Sequence, residues 1–329
     1  MIYEVTKSQD GTVQHGLRIS LDKPSTKKGT IQVECIASSL NYRDYLASRG
    51  NVGVARRFPY VPGVDMFGRV TETASKRFKT GDLVCIISAS QGDIVPGGWS
   101  TSALINNQKI FKVNDIESGF RWMAIGTAGL AAALAVQSLI DHLGSRSNEK
   151  IVITGASGGV GSIASIILKK IGFQVVAVTS NQKKVKFINS LGINEIISFE
   201  NFISSAKFNL LREEYIAGID CLGGHAFSSM AKKIKTEGIL VSAGQVAGQD
   251  INDLTVLPFL MRAITITGTG AEIASMRRKR RAMELLDKTL TDLDLKKLVH
   301  LIKMEGISKA LNEFAEQKSF GRFVIKIGD

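Results

Sequence analysis

The chain has 329 residues, of which 44% are hydrophobic and 22% charged, and it contains 32 glycines. These proportions are typical of a globular protein and exclude collagen-like and extensively disordered chains. The 42 Lys and Arg residues outnumber the 30 Asp and Glu residues, which gives a net charge of +12. Such an excess of positive charge is typical of proteins that bind a nucleic acid or an anionic small molecule, but it can also serve solubility alone. The length predicts about two domains.

The chain carries three cysteines, Cys35, Cys85 and Cys221, which lie far apart in the sequence. Their odd number and wide spacing predict neither a disulfide framework nor a CxxC zinc knuckle, and they favour a cytoplasmic protein. The charged N-terminal segment predicts no signal peptide. The longest apolar stretch, residues 124–140, is short for a membrane span and is predicted to be a buried helix.

Residues 1 to about 120 contain short runs with strand character, separated by Gly and Pro. Ile31, Val33 and Cys35 alternate with polar neighbours, as in a strand with one buried face. SLNYRDYLASRG instead has the apolar spacing of a short helix that ends at Gly50. The first domain is therefore predicted to be an antiparallel, barrel-like β unit. Its other strands are expected within residues 61–73, 79–87, 97–105 and 109–113.

From about residue 122 the pattern changes to strands that alternate with helices. Fully apolar strands in such an order predict a doubly wound parallel sheet, and six of them complete a dinucleotide-binding Rossmann sheet. The predicted strands are 150–154, 174–178, 195–198, 218–222, 238–243 and 263–268, with helices at 160–171, 183–190 and 227–234. An amphipathic helix around 275–290 carries the basic run Arg277–Arg281. A last strand within 319–327 is expected to return to the first domain.

A glycine-rich turn, GASGGVG at residues 155–161, joins the first of these strands to a helix. The glycines permit a tight turn and let the backbone approach a pyrophosphate, while the helix N-terminus offers free N–H groups to the anion. We therefore predict a dinucleotide phosphate site formed by Ser157, Gly158, Gly159, Val160 and Gly161.

The end of the second strand distinguishes NAD from NADP. In an NAD site, an Asp or Glu at the end of this strand, about 20 residues after the glycine-rich turn, binds the ribose 2′-hydroxyl. No acidic residue occurs from Lys150 to Asn194, so we predict NADP(H). Two of the residues expected to bind the 2′-phosphate are lysines, which are alternatively ordinary surface residues. The expected set is Thr179, Ser180, Asn181, Lys183 and Lys184.

No metal site is predicted. A catalytic zinc ion needs three protein ligands, usually Cys, His or carboxylates. The four histidines, His15, His142, His225 and His300, are isolated in the sequence, and we expect each to be a surface or hydrogen-bonded residue. The difficult chemistry is then expected to come from the cofactor.

Several sequence strings together resemble the medium-chain dehydrogenase/reductase superfamily, especially its zinc-free subgroup of quinone oxidoreductases and acrylyl-CoA reductases. The resemblance covers essentially the whole chain. It implies a GroES-like domain of residues 1–121 and 291–329 and an NADP-binding Rossmann domain of residues 122–290. The strings are SSLNYRDYLA, FPYVPGVDMFG, GGWS, AIGTAGLAAA, TGASGGVGS, FQVVAV, LPFLMR and GRFVIK.

The resemblance also implies roles for single residues. Zinc-dependent relatives carry Cys where Asn41 stands and His-Glu where Val64 and Asp65 stand. Asn41, Tyr42 and Asp44 match the NYxD motif of the zinc-free branch, in which the Tyr lies by the cofactor and the Asn lines the reaction site. The family often has Ser-Gly-Arg where this chain has Thr179, Ser180 and Asn181, so the guanidinium clamp is lost, and Lys183 or Lys184 is expected to substitute as a less directional charge. Further cofactor contacts are expected at Thr127, Gly244, Gln245, Thr269 and Arg322.

On this basis we expect NADPH-dependent reduction of an activated carbon–carbon double bond, as in acrylyl-CoA. Asn41 or Tyr42 would stabilise the negative charge that builds on the carbonyl oxygen, and Tyr42 or water would protonate the α-carbon. Structural interpretations remain open for both residues: Asn41 as a helix cap and Tyr42 as a packing residue.

Three alternatives concern the substrate and the class of function. An acyl-CoA would bring phosphates, which Arg56, Arg57, Arg277 and Arg278 could attract, whereas a quinone, enone or enal needs no basic rim. A non-catalytic RNA- or anion-binding protein on the same fold is the third possibility. Against it, aromatic residues make up only 7% of the chain, so stacking platforms for RNA are scarce. The resemblance further implies a homodimer, and we expect no membrane partner.

Overall fold

The computed structural model describes residues 1–20, 29–90, 93–144, 148–180, 182–204, 208–251 and 253–328. The chain forms two compact units. Unit 1 comprises Met1–Thr127 and Leu298–Asp329, and unit 2 comprises Ala128–Lys297. The domain boundaries expected from the sequence, 121/122 and 290/291, lie a few residues earlier in the chain.

The strands of the described residues are β1 Ile2–Lys7, β2 Val13–Arg18, β3 Thr30–Leu40, β4 Met66–Thr73, β5 Leu83–Ile86, β6 Ile94–Val95, β7 Ser102–Asn106, β8 Phe111–Lys112, β9 Lys150–Thr154, β10 Gln174–Thr179, β11 Glu195–Ser198, β12 Tyr215–Asp220, β13 Ile234–Ser242, β14 Thr265–Gly268, β15 Val299–Lys303 and β16 Arg322–Lys326. The helices are α1 Tyr42–Ser48, α2 Ile116–Leu143, α3 Gly159–Lys170, α4 Gln182–Ser190, α5 Phe199–Ser204, α6 Gly224–Ala231, α7 Leu257–Arg262, α8 Met276–Thr289, α9 Asp292–Leu298 and α10 Ile307–Ala315, with a 3₁₀ turn at Met304–Gly306.

Unit 1 is built around a mostly antiparallel sheet, which runs β15-β16-β3-β4-β5-β8, with β7 paired to β3 and β6 paired to β7. The long strand β3 pairs with β4 over most of its length, whereas β7 pairs with its first half and β16 with its second half. β15 and β16 are parallel to each other. The antiparallel GroES-like architecture predicted from the sequence is confirmed, and the expected helix before Gly50 is α1.

The sequence did not predict three features of unit 1, namely the β1–β2 hairpin, strand β15 and helix α10. Strands β2 and β15 are short and carry no buried residue, whereas β1 and α10 do bury apolar residues at strand and helix spacing. The tail returns to the first domain, as expected, through β16, which pairs with both β15 and β3.

Unit 2 contains a six-stranded parallel sheet among its described residues, in the order β11-β10-β9-β12-β13-β14. Its central strands are almost entirely buried, which explains why they have no polar alternation. The predicted Rossmann sheet is therefore confirmed, with β14 at one edge.

Several predicted boundaries in unit 2 were wrong. The fourth strand was expected at 218–222, but β12 ends at Asp220, whose carboxylate accepts the N–H groups of Leu222 and Gly223 and so turns the chain. β13 starts earlier than predicted, at Ile234, and β14 later, at Thr265. Helix α6 also begins and ends about one turn before the predicted range of 227–234.

Helix α2 contains the apolar stretch that the sequence predicted to be buried. By length and composition α2 could cross a membrane, but 83% of its most apolar window is buried by the rest of the chain. Its backbone is non-helical at Gly126 (φ 51°, ψ −160°), which bends the helix. Burial against neighbouring elements thus accounts for its apolar composition.

Candidate functional site

The glycine-rich turn of unit 2 connects β9 to α3. Gly155 has a φ of +59°, which favours glycine. A side chain on Gly161 would lie 2.5 Å from the Gly155 carbonyl oxygen, so α3 can approach β9 only with glycine there. The first-turn N–H groups, including those of Gly159 and Val160, have no acceptor inside the helix, and the cap residue Gly158 supplies none. With no acidic residue in that turn, the segment fits a phosphate.

The residues predicted for the 2′-phosphate lie in different surroundings. Thr179, the last residue of β10, donates a long hydrogen bond of 3.5 Å to Ser157 of the glycine-rich turn, so these two predicted residues meet. Ser180 is exposed. Lys183 lies on the exposed side of α4, whereas Lys184 is buried, which lowers its pKa. Asn181 lies outside the described residues.

Three further predicted cofactor residues follow the carboxyl ends of β13 and β14. A side chain on Gly244 would lie 2.4 Å from the Cys221 carbonyl oxygen, so glycine permits a close approach there. Gln245 is exposed, and Thr269 is buried with its N–H bonded to the Ser242 carbonyl (3.1 Å). Parallel α/β sheets bind ligands at this end of their strands.

In unit 1, Asp65 is the centre of a buried hydrogen-bond network. Its fully buried carboxylate accepts the hydroxyl of Ser39 (2.6 Å), the amide of Asn41 (2.8 Å) and the N–H of Ser88 (2.9 Å). Thr127 donates twice, through its N–H (2.8 Å) and its hydroxyl (2.5 Å). These donors compensate a buried charge that would otherwise be costly. From the sequence, Asp65 was noted only as a position at which zinc-dependent relatives carry a different residue, and its central role in this network was not predicted.

Asn41 is held between groups of opposite charge. Its amide nitrogen donates to Asp65, and its amide oxygen accepts from Nη1 of Arg322 at 3.1 Å. This arrangement fixes which end of the amide carries the oxygen. Asn41 also occupies the N-cap position of α1, where its backbone N–H donates to Asp44 (2.9 Å). The helix-cap position and the polar network therefore involve the same residue.

Asp44 fastens α1 to the segment before β4. Its second carboxylate oxygen accepts the N–H groups of Gly63 (2.8 Å) and Val64 (3.2 Å). Burial raises the pKa of Asp44 to about 6, although these backbone donors oppose the shift. Asp44 is thus a structural anchor that ties the start of α1 to the backbone of Gly63 and Val64.

Arg322, the first residue of β16, is almost completely buried. Its Nε donates to the carbonyl of Ala124 (3.0 Å) and its Nη1 to that of Leu40 (3.4 Å). Nη2 is buried and has no hydrogen-bond partner among the described residues. An unpaired buried donor is costly, so this N–H group fits an acceptor on a ligand. Burial lowers the pKa of Arg322, opposed by Asp65 and Asp44.

Gly126 lets the bent part of α2 reach this network. A side chain there would lie 2.5 Å from both Arg322 Nη2 and Asp65 Oδ2. The bend also turns the N–H of Thr127 toward Asp65. Thr127 was predicted as a cofactor residue, and the structure places it in contact with the centre of the network.

Tyr42 is the first residue of α1 and is half-buried. Its ring packs against Tyr45, with centroids 5.7 Å apart, and its hydroxyl has no hydrogen-bond partner in the described part of the chain. Burial and the neighbouring Tyr45 raise the pKa of Tyr42. The phenol is therefore protonated at neutral pH and available as a proton donor.

The described residues contain no group of three His, Cys, Asp or Glu side chains that could hold a metal ion. The histidines have separate surroundings. His15 is bonded to the Tyr3 hydroxyl (2.7 Å), His142 to the Glu237 carbonyl (3.0 Å) and His225 to Asp253, while His300 contacts Phe320 and Phe323.

Two family models match the chain, an alcohol dehydrogenase GroES-like domain over residues 27–115 and a zinc-binding dehydrogenase over residues 159–288. The acrylyl-CoA reductase of Ruegeria pomeroyi is 30% identical over 280 residues, which cover 85% of this chain and 84% of that protein. A chloroplast envelope quinone oxidoreductase homologue of Arabidopsis thaliana is 27% identical over 231 residues, 68% of each chain.

Solved structures agree with these matches. The YhdH protein of Escherichia coli with bound NADPH has a TM-score of 0.90 and 27% identity, and the alignment covers 100% of both chains. The Bacillus subtilis protein YhfP with bound NAD has a TM-score of 0.86 and 27% identity over 99% of each chain. The chain belongs to the medium-chain dehydrogenase/reductase superfamily, in the subgroup of quinone oxidoreductases and acrylyl-CoA reductases.

Proposed function

We propose that the protein is an NADPH-dependent reductase of an activated carbon–carbon double bond, such as that of the enoyl thioester acrylyl-CoA. The observation that carries the proposal is the Asn41 amide, held between Asp65 and Arg322 directly before Tyr42. Zinc-dependent relatives place metal ligands at positions 41, 64 and 65. Here Asn41 and Asp65 belong to a hydrogen-bonded polar network, and Tyr42 directly follows Asn41 in the chain.

The residues present fit NADPH. The first turn of α3 would bind the pyrophosphate, and Thr179, Ser180, Asn181 and Lys183 would bind the 2′-phosphate without an opposing acid. The unpaired Nη2 of Arg322 is a further donor for an acceptor on the cofactor. When bound, NADPH supplies a hydride to the β-carbon of the acceptor.

Tyr42 donates the proton that completes the reduction. The phenol, whose pKa lies above its ordinary value of 10.0, carries its proton at neutral pH and can protonate the α-carbon of the enolate. The O–H bond of Tyr42 breaks, a C–H bond forms, and solvent restores the proton. Because both ends of the Asn41 amide are occupied in the described structure, Asn41 would line the site and fix the backbone from which Tyr42 projects.

A turnover assay tests this function. The purified protein is mixed with NADPH and acrylyl-CoA, crotonyl-CoA or a benzoquinone, and the nicotinamide absorbance is followed. We expect NADPH oxidation with the enoyl thioesters and a large loss of kcat in Tyr42→Phe and Asn41→Ala, both with intact NADPH binding. Normal kcat in both variants contradicts the assigned roles, and no turnover with any acceptor contradicts the function.

A quinone or enone reductase is the second candidate, since the Arabidopsis relative is named a quinone oxidoreductase homologue. The arginines proposed to attract CoA phosphates are accessible: Arg56, Arg57 and Arg277 are exposed and Arg278 is half-buried. Turnover of a CoA ester should therefore fall steeply as salt is raised, whereas turnover of a neutral quinone should not.

The choice of NADPH over NADH is tested with the same acceptors. One relative has been crystallised with NADPH and another with NAD, so both cofactors are compared directly. We expect kcat/KM to be higher with NADPH because no carboxylate stands where the 2′-phosphate would bind. Equal values for both cofactors contradict this assignment.

We also propose a cytoplasmic homodimer. Cys35, Cys85 and Cys221 are all free and buried, which suits a reducing compartment. The edge strand β14 follows directly on α7, where Leu260 and Met261 are 74% and 64% exposed. Large apolar side chains beside an unpaired strand edge suit a second copy of the chain.

A further inference from the structure

Four aromatic rings of unit 1 form a row that ends at Tyr42. The ring centroids of Tyr42 and Tyr45 lie 5.7 Å apart, those of Tyr45 and Phe314 6.0 Å, and those of Phe314 and Phe323 6.0 Å. Tyr45 and Phe314 are stacked, with an angle of 24° between their planes. All three distances lie in the range in which aromatic rings attract one another.

The chain brings these rings together from three elements. Tyr42 and Tyr45 are three residues apart on α1, so they share one face of the helix. Phe314 lies on α10, which packs on α1, and Phe323 lies on β16. Tyr45 and Phe314 both rest on the buried cluster that includes Tyr3, Leu40 and Trp99. The row therefore has a rigid base at its inner end.

The row of rings matters because no hydrogen bond within the described structure orients the Tyr42 side chain. Its hydroxyl has no partner there, whereas Asn41, one residue earlier, is fixed by charged groups on both sides. The ring of Tyr42 is in contact with that of Tyr45, which restrains it, and Tyr45 is itself held by stacking on Phe314.

We propose that Tyr45 is a positioning residue for Tyr42, held in place by Phe314 of α10. It acts through the ring of Tyr42 and does not touch the substrate. The inference rests on the proposed function, in which Tyr42 donates the proton. A misplaced proton donor lowers the rate of the chemical step more than it weakens substrate binding.

Variants at position 45 separate the ring from the hydroxyl. Tyr45→Ala removes the ring, and we expect kcat with the enoyl substrate to fall about 10- to 100-fold, with little change in the KM for NADPH. Tyr45→Phe keeps the ring and should retain a kcat close to that of the wild type. Since Tyr45 contributes to the raised pKa of Tyr42, the basic limb of the pH profile should also move to lower pH in Tyr45→Phe.

A double-mutant cycle tests whether Tyr45 acts through Tyr42. In a Tyr42→Phe background, Tyr45→Ala should cause little further loss of kcat, because the proton donor is already absent. Phe111→Ala is the matched control, since it removes another aromatic pair of unit 1, with Trp122 at 5.2 Å. We expect it to lower stability and leave kcat unchanged.

Fluorotyrosine NMR gives a readout that does not need activity. The Tyr42 resonance, assigned by its loss in Tyr42→Phe, should shift and broaden in Tyr45→Ala but not in Phe111→Ala. An unchanged Tyr42 resonance, or the same loss of kcat in both backgrounds of the cycle, overturns the inference. Absence of turnover in the wild type contradicts the proposed function instead, and the resonance then still decides the role of Tyr45.

Discussion

Asp65 receives hydrogen bonds from residues that lie 23 to 62 positions away in the sequence. No local pattern contains this information. The available signal was the acid itself, placed between Val64 and Met66 in an otherwise apolar run. Asn41, in contrast, was predictable, because the NYxD string and the start of a helix both point to it. The sequence therefore identified the site residues that belong to a local motif, but not the buried carboxylate to which they donate hydrogen bonds.

Asp65→Asn should strongly destabilise the protein. Asn keeps one acceptor but presents two N–H donors to a site already full of donors, so several buried groups lose their partner. We expect a loss of about 2–4 kcal/mol in the free energy of unfolding, measured with denaturant.

The same substitution at Asp82 is the control. Asp82 pairs with the half-exposed Lys112 (2.6 Å), and surface pairs contribute about 0–1 kcal/mol. Equal losses in Asp65→Asn and Asp82→Asn would show that the buried network does not stabilise unit 1.

Asp44 should give the protein a pH-dependent stability. Burial raises its pKa from 3.8 to about 6 in the folded state, so folded protein holds a proton that unfolded protein releases between these values. The contribution of this group is then most favourable below about pH 4 and is lost as the pH rises to about 6.

The measurement is the difference in unfolding free energy between the wild type and Asp44→Asn across this range of pH. Because Asn does not titrate, that difference should become less favourable to the wild type as the pH rises. A difference that stays constant contradicts the raised pKa.

At the scale of elements, the glycine-rich turn and the start of α3 act together. Gly161→Ala would place a methyl group 2.5 Å from the Gly155 carbonyl and 2.7 Å from Cα of Ala156. We expect a loss of about 1–3 kcal/mol in stability and weaker NADPH binding, measured by denaturation and by fluorescence titration.

Gly158→Ala is the matched control for stability. It lies in the same turn, has an ordinary φ of −77°, and its added methyl group would lie 3.3 Å from the Gly155 carbonyl. The interpretation fails if Gly158→Ala destabilises the protein as much as Gly161→Ala.

The fully apolar strands of unit 2 were the easiest elements to predict. β9 and β11 match their predicted ranges, because in each a short apolar run lies between two polar residues, Ile151–Ile153 in β9 and Ile196–Ile197 in β11. β12 was misplaced since its limits depend on hydrogen bonds of Asp220 to the turn that follows. In unit 1, β15 was missed because it has no fully buried residue of its own. Helix α10 was missed although Ile307, Ala310 and Leu311 have helical spacing.

At the scale of the whole molecule, the proposed homodimer can be tested by sedimentation. The wild type should sediment as a dimer, and Leu260→Glu should be monomeric because a charge replaces an apolar side chain that is 74% exposed in the isolated chain. Ile273→Glu, at another highly exposed apolar position of unit 2, should remain dimeric. A wild type that is monomeric at all concentrations rules out the proposal.

The position of β16 has a consequence for biosynthesis. This strand lies between β15 and β3 and carries Arg322, whereas Asn41 and Asp65 come from the early part of the chain. On the ribosome, all of unit 2 is therefore synthesised before unit 1 receives one of its central strands. Until β16 has emerged, the second half of β3 (Ala37–Leu40) lacks its partner on that edge, and the Asn41 amide lacks its cation. A nascent chain that stops short of Arg322 would expose that edge, and quality-control factors could then recognise it as incomplete.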